Sequence, residues 1–145
     1  LALPEEFSVV GALSAGCDRL GILPEAVRAV PDIATLRANR AQLSPADYDR
    51  GMQFFLNFGS PAEFEQNDAD NLFRLAEKAK AGGAALPKLI LRCGTEDTLA
   101  LGPNRRFKAH LDALGIACDY AEFPGTHSWA FWDEHIQYVL ENLPV

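Results

Sequence analysis

Pro87-Lys-Leu-Ile-Leu-Arg-Cys-Gly94, running on into Thr-Glu-Asp97, is the stretch on which the reading of this chain turns. A short run centred on Leu89, Ile90 and Leu91 and ended by glycine reads as a strand buried inside a parallel sheet. Toward the C terminus, residues 103–114 place Phe107, Leu111 and Leu114 at helical spacing and stop at Gly115, a C-terminal cap. Ile116 to Phe123 is then a further strand and Pro124-Gly125 a turn. Ser128 caps a last helix with Trp129, Trp132, Ile136, Val139, Leu140 and Leu143 on its inner face. Toward the N terminus, Phe7-Ser-Val-Val-Gly-Ala-Leu13 is another strand expected to be buried on both faces. Between these strands, residues 17–43 hold Pro24 and Pro31 and read as irregular chain with short helical turns. Ser44-Pro45 opens a helix faced by Tyr48, Met52, Phe55 and Leu56. Gly59-Ser60-Pro61 breaks it. A second helix starts near Asn67 or Asp68, carries Leu72, Leu75, Ala76 and Ala79, and ends at Gly82-Gly83.

The order is strand, long helical insert, strand, helix, strand, helix. It predicts an α/β fold: a parallel sheet with flanking helices, in one domain over 1–145. The insert, about 18–84, is the single candidate subdomain.

Bulk properties narrow the function. A net charge of −7, from 13 basic and 20 acidic residues, argues against nucleic acid and against an anionic membrane surface. No apolar run reaches the ~20 residues that span a bilayer. Cys17, Cys93 and Cys118 are odd in number and fit no zinc spacing, which points to a reducing, cytoplasmic compartment and small buried thiols. The histidines lie too far apart in sequence to suggest a metal site. No cofactor is implied.

Two loops carry the chemistry. Gly94-Thr-Glu-Asp97 follows one strand and Pro124-Gly-Thr-His127 the next. In a parallel sheet all strand C-termini share one edge, where α/β folds place their sites. If the two strands are neighbours, about 4.8 Å apart, Asp97 and His127 stand side by side. A carboxylate beside an imidazole fixes its tautomer and steadies the imidazolium of general-base catalysis. Asp97 has a rival in Glu96. His110 and His135 sit beside apolar helix stripes as surface or boundary residues. Arg105 and Arg106 read as a solvated helix face. Trp129, Phe131 and Trp132 either line a pocket or, the simpler expectation, pack the last helix onto the sheet.

Leu91-Arg-Cys-Gly-Thr-Glu-Asp97, Asn104-Arg-Arg-Phe107, Leu114-Gly-Ile116 and Pro124-Gly-Thr-His127-Ser-Trp-Ala-Phe-Trp-Asp133 together resemble the end of an esterase family of α/β-hydrolases. Its members include tributyrin esterases, S-formylglutathione hydrolases (esterase D), and acetylxylan and feruloyl esterases. The tributyrin-esterase-like members are the nearest in pattern. Gly59-Ser-Pro-Ala-Glu-Phe-Glu onward to Gly83 resembles them too. Leu3-Pro-Glu-Glu-Phe7 is similar to the end of the helix behind the nucleophile. The resemblance implies that this is the C-terminal part of an α/β-hydrolase, with Asp97 as triad acid, His127 as general base and the segment after Gly16 as a cap. The order acid then histidine agrees with that fold.

The family's nucleophile sits in Gly-x-Ser-x-Gly, and no such motif occurs in these 145 residues. The resemblance puts it just before Leu1. The opening Leu-Ala-Leu-Pro, without methionine, leads to the expectation of a start further upstream. Ala12-Leu-Ser14-Ala-Gly16 mimics the motif, but Gly21 and Pro24 spoil the helix that must follow an elbow. The implied activity is hydrolysis of small acyl or carbohydrate esters. The implied partners are the missing N-terminal half or another copy of the chain, because the strand over 7–13 would otherwise be an unpaired edge. A non-catalytic module on the same fold is the alternative. A flavodoxin-like binding domain fits the alternation of elements but not the Asp–His placement.

Overall fold

The computed structural model describes residues 1–83 and 85–144; Ala84, where the expected insert ends, and Val145 lie outside them. Three strands, β1 (Val9–Leu13), β2 (Lys88–Gly94) and β3 (Cys118–Phe123), form an all-parallel sheet in the order β1-β2-β3. Val10 pairs with Leu89, and Leu89 with Cys118, so the chain order of the strands is also their spatial order.

Side chains alternate across the sheet with period two. Val10, Ala12, Leu89, Leu91, Cys118 and Tyr120 point to one face. There they meet Leu72, Phe73 and Ala76 of α5 (Leu72–Ala81) and Phe107 and Leu111 of α6 (Leu101–Ala113). The other face carries α7 (Trp129–Glu141). Gly11 of β1 lies under Val139 of α7, so closely that a Cβ there would meet Val139 Cγ1 at 2.5 Å. Glycine is needed at this position because the helix crosses the strand at backbone distance.

β2 is buried at every position but Lys88, as expected of the central strand. One of the buried residues is a cation. Arg92 is 4% exposed. Its guanidinium donates to the carbonyls of Leu91 and Asp119 and to Asp119 Oδ1 at 2.9 Å, and lies 4.3 Å from the Tyr138 ring centroid. A buried cation needs such pairing, and here the pairing joins β2, β3 and α7.

β1 departs from expectation. It starts at Val9, Phe7 is exposed, and none of its residues is fully buried. Among the described residues only β2 pairs with it, leaving one edge open. The face of α7 is also rotated from the expected stripe. Phe131, His135 and Val139 point inward, while Trp129, Leu140 and Leu143 are exposed. His135, expected at the surface, is 9% exposed and stacks between Phe123 and Phe131, with ring centroids 4.5 and 4.2 Å away.

The residues between β1 and β2 build a second core. Short helices α1 (Glu25–Arg28) and α2 (Ile33–Ala38) precede α3 (Pro45–Phe58) and α4 (Pro61–Glu65). Ser44 caps α3, and Ser60 and Glu63 form a reciprocal capping box on α4, where the sequence reading saw only a break. Leu23, Val27, Val30, Leu36, Phe54, Phe55 and Phe64 are buried together. Phe54, Phe58 and Phe64 meet at ring centroid distances of 5.1–5.3 Å, in tilted and edge-on geometry. Gly51 lies against Val27 and Leu36 on the inner side of α3. Leu56, expected on that side, is 69% exposed.

Two outcomes follow. Phe54→Ala removes the centre of the second core and should lower unfolding free energy by about 3–5 kcal/mol in urea titration. The open apolar edge of β1 should drive self-association of the purified chain; a single monomeric species in sedimentation, at all concentrations, would contradict that.

Candidate active site

The two loops expected to carry the chemistry are locked together by backbone. Thr95 N–H donates to Phe123 O at 2.8 Å and Glu96 N–H to Gly125 O at 3.0 Å. Gly94 sits so near Gly125 that a Cβ on it would lie 2.1 Å from the Gly125 carbonyl oxygen. Gly125 has φ +146°, and a Cβ there would lie 2.6 Å from the Phe131 ring. Neither position admits a side chain. Glu96, the rival acid, closes this lock by accepting the Gly125 N–H on its carboxylate. That bond, with one from Thr95 Oγ1, holds its pKa below the usual carboxylate value.

The lock brings Asp97 and His127 together. His127 Nδ1 lies 2.8 Å from Asp97 Oδ2. Asp97 is 1% exposed, and its other oxygen accepts the N–H groups of Leu99 and Ala100 at 3.1 and 2.9 Å, in the turn that opens α6. Burial pushes its pKa up, but the Ala100 N–H and the His127 ring outweigh it, and the net shift is downward. Asp97 is thus an anion fixed at both oxygens. The His127 side chain is 39% exposed. Its ring meets Trp132 edge-on at 5.0 Å, and its Nε2 has no hydrogen-bond partner among the described residues.

His127 lines a cleft of about 760 Å³. The floor comes from residues that follow all three strands: Ser14 and Gly16 after β1, Thr98 to Ala100 after β2, and His127 after β3. The opposite wall comes from the helical segment, through Ile22, Arg50 and Gln53. This is the carboxyl edge of the sheet, where α/β folds hold ligands.

Ser14 is no nucleophile in this arrangement. It is 4% exposed, its hydroxyl is buried without a hydrogen-bond partner among the described residues, and no helix follows it. Its φ of +48° is the single left-handed non-glycine conformation in the described chain. The cysteines are equally unsuited. Burial pushes the thiols of Cys17, Cys93 and Cys118 up to about 11, so none is a thiolate near neutrality.

The remaining expected residues have structural surroundings. Arg105 makes a double hydrogen bond to Glu122 at 2.8 and 2.6 Å, and Arg106 pairs with Asp18 at 2.6 Å, so the solvated face of α6 also ties it to β3 and to the chain after β1. His110 Nε2 lies 3.2 Å from Phe73 O, away from the cleft. Of the three aromatics after Ser128, Phe131 packs inward, Trp132 touches His127, and Trp129 is 81% exposed. Sequence reasoning missed Gly94, Gly125 and Glu96 as the parts that join the loops; the glycine at each strand end was the available signal.

No protein-family model and no curated protein matches the sequence. Solved structures do match the fold. S-formylglutathione hydrolase (FrmB) from Staphylococcus aureus superposes over 97% of this chain with a TM-score of 0.56 and 21% identity. FphF, a fluorophosphonate-binding serine hydrolase of the same organism, gives the same coverage and TM-score at 22% identity. This chain has part of an α/β-hydrolase fold. It spans 46% of each of those two chains. The fold class expected from the sequence is the one found. Among the described residues no helix is long and apolar enough to cross a membrane, and no group of three metal-ligating side chains converges.

Gly94→Ala should separate the loops. The low-field Nδ1–H proton resonance of His127, expected in the wild type, should vanish in this variant, with a loss of stability. Asp97 gives a pH signature of its own. Its folded pKa lies below the ordinary 3.8, so its stabilising contribution is present above pH about 4 and fades as pH falls through the folded value. Urea unfolding should therefore show wild type and Asp97→Asn well separated at pH 6 and converging on acidification.

Proposed function

We propose that the chain supplies the acid and the base of a serine carboxylesterase acting on small acyl esters, and that the serine comes from a segment outside these 145 residues. The observation that carries this reading is the His127–Asp97 pair, 2.8 Å apart, in which a buried and doubly anchored carboxylate backs a histidine that lines the cleft. The bond to Asp97 places the Nδ1 proton toward the carboxylate and leaves a lone pair on Nε2. His127 Nε2 takes the serine proton as the hydroxyl oxygen attacks the ester carbonyl, and Asp97 stabilises the imidazolium. The imidazolium then gives that proton to the leaving alcohol, and water repeats the cycle to release the acid.

In this reading the helical segment 18–84 caps the cleft, contributing Ile22, Arg50 and Gln53 to its wall. The open edge of β1 receives the strand that leads to the nucleophile. Acetyl, butyryl and feruloyl esters, including those of carbohydrates, are the substrate range that fits a cleft of this size. A reducing, cytoplasmic setting suits the three free thiols. A non-catalytic module is the competing reading, and the lack of Gly-x-Ser-x-Gly in the chain favours it.

The deciding assay is p-nitrophenyl butyrate hydrolysis by the polypeptide that carries Gly-x-Ser-x-Gly together with this sequence. Asp97→Asn should lower kcat by about 10⁴-fold, the scale seen when a triad histidine loses its orienting acid. His127→Ala should abolish burst kinetics. A His127→Ala protein with unchanged turnover would end this reading, and the 145-residue chain alone should show no turnover.

A further inference from the structure

Three arginines line the cleft in a protein of net charge −7. Arg19, Arg50 and Arg106 line it, and no carboxylate does. The three cations differ in how far they are already engaged. Arg106 is committed to Asp18, at 2.6 Å. Arg50 has Asp47 at 3.6 Å, beyond hydrogen-bond contact. Arg19 has no ion pair among the described residues. Its guanidinium lies along the backbone of Gly16, where a Cβ would be 3.4 Å from Nη1.

Arg19 and Arg50 also belong together. Both line a second, smaller hollow of about 110 Å³ that shares Ile22 and Gln53 with the cleft. Arg50 and Gln53 lie one turn apart on α3, so they project from the same side of that helix. Two under-engaged guanidinia beside an amide thus flank the cleft that His127 lines. Guanidinium presents a planar fork of donors that matches a carboxylate in a bidentate manner. A wall built only for a neutral acyl chain has no use for two cations.

We propose that the ester taken by this cleft carries a carboxylate, held by Arg19 and Arg50. The proposal rests on the hydrolase reading above and adds to it the charge of the substrate. The carboxylate fixes the ester with its carbonyl toward His127, and the choice against neutral esters comes from the charge-assisted hydrogen bonds that only the anion makes with the two guanidinia.

The test compares methyl hydrogen succinate, an anion, with dimethyl succinate, its neutral counterpart. Binding of each to the 145-residue chain is followed by NMR at the Arg19 and Arg50 Nε–H resonances. At low ionic strength the anion should bind about tenfold or more tightly than the neutral ester, the scale of one charge-assisted hydrogen bond. The preference should shrink as salt rises. It should disappear in Arg19→Gln/Arg50→Gln and persist in part in Arg19→Lys/Arg50→Lys, which keeps the charge without the fork. Equal binding of the two esters, or a preference that survives the glutamine pair with the amide spectrum unchanged, overturns the proposal. His127→Ala separates the two readings: it should leave the anion preference intact. If that preference holds while the full polypeptide hydrolyses esters without His127, the hydrolase reading fails and the anion site stands. If His127-dependent hydrolysis holds with no charge preference, the reverse is true.

Discussion

The close approach of two glycine backbones organises the site. Gly94 ends β2 and Gly125 lies in the loop after β3, and the space between them is too small for a single Cβ. Everything chemical hangs on that contact. It allows the Glu96 N–H to reach the Gly125 carbonyl and the Glu96 carboxylate to reach the Gly125 N–H. It seats Phe131 under Gly125 and so starts α7 at a fixed angle. With both loops held, Asp97 and His127 meet at 2.8 Å without either having to search for the other. A carboxylate–imidazole pair supported by backbone in this way is preorganised.

The same economy governs the charges. Three groups with low intrinsic tolerance for burial, Arg92, Asp97 and Asn104, are almost fully enclosed, and each is satisfied by backbone as well as by side chains. Arg92 and Asp119 bind the α7 layer to the sheet. Asn104 donates to Ala15 O and Ala100 O, joining α6 to the chain that follows β1. Ser14 is the exception. It has a left-handed backbone and a buried hydroxyl without a partner among the described residues, beside the acid of the pair. Strain and an unpaired polar group gather at the carboxyl edge, where function in this fold class gathers too.

The helical segment between β1 and β2 is built as a unit. Its core of phenylalanines and leucines is distinct from the cluster beneath the sheet, yet Ile22, Arg50 and Gln53 reach the same cleft as His127. The helical lining of the cleft and the Asp97–His127 pair therefore rest on different hydrophobic cores. That arrangement lets the wall of the cleft change without disturbing the Asp97–His127 pair.

The sequence by itself determined the order of elements, the parallel sheet and the two loops that matter. Buried parallel strands leave an unbroken apolar signature, as in Leu89 to Leu91, and turns leave glycine and proline. It also determined Asp97 and His127 as a pair, because strand ends in such a sheet share an edge. Tertiary structure alone decided the rest. Periodicity on α7 could not tell which side faced the sheet, since Trp129 and Leu140 are as apolar as Phe131 and Val139, and only the crossing over Gly11 selects one. The pairing of the buried Arg92 is not legible in the sequence because its partners, Asp119 and Tyr138, lie 27 and 46 residues away. Glu96 and Asp97 are adjacent acids with equal local claims, and the fold separates them by what each carboxylate meets: a glycine N–H for one, a histidine ring for the other. Contacts between residues distant in the chain carry no local pattern, so they became legible only once the strands were side by side.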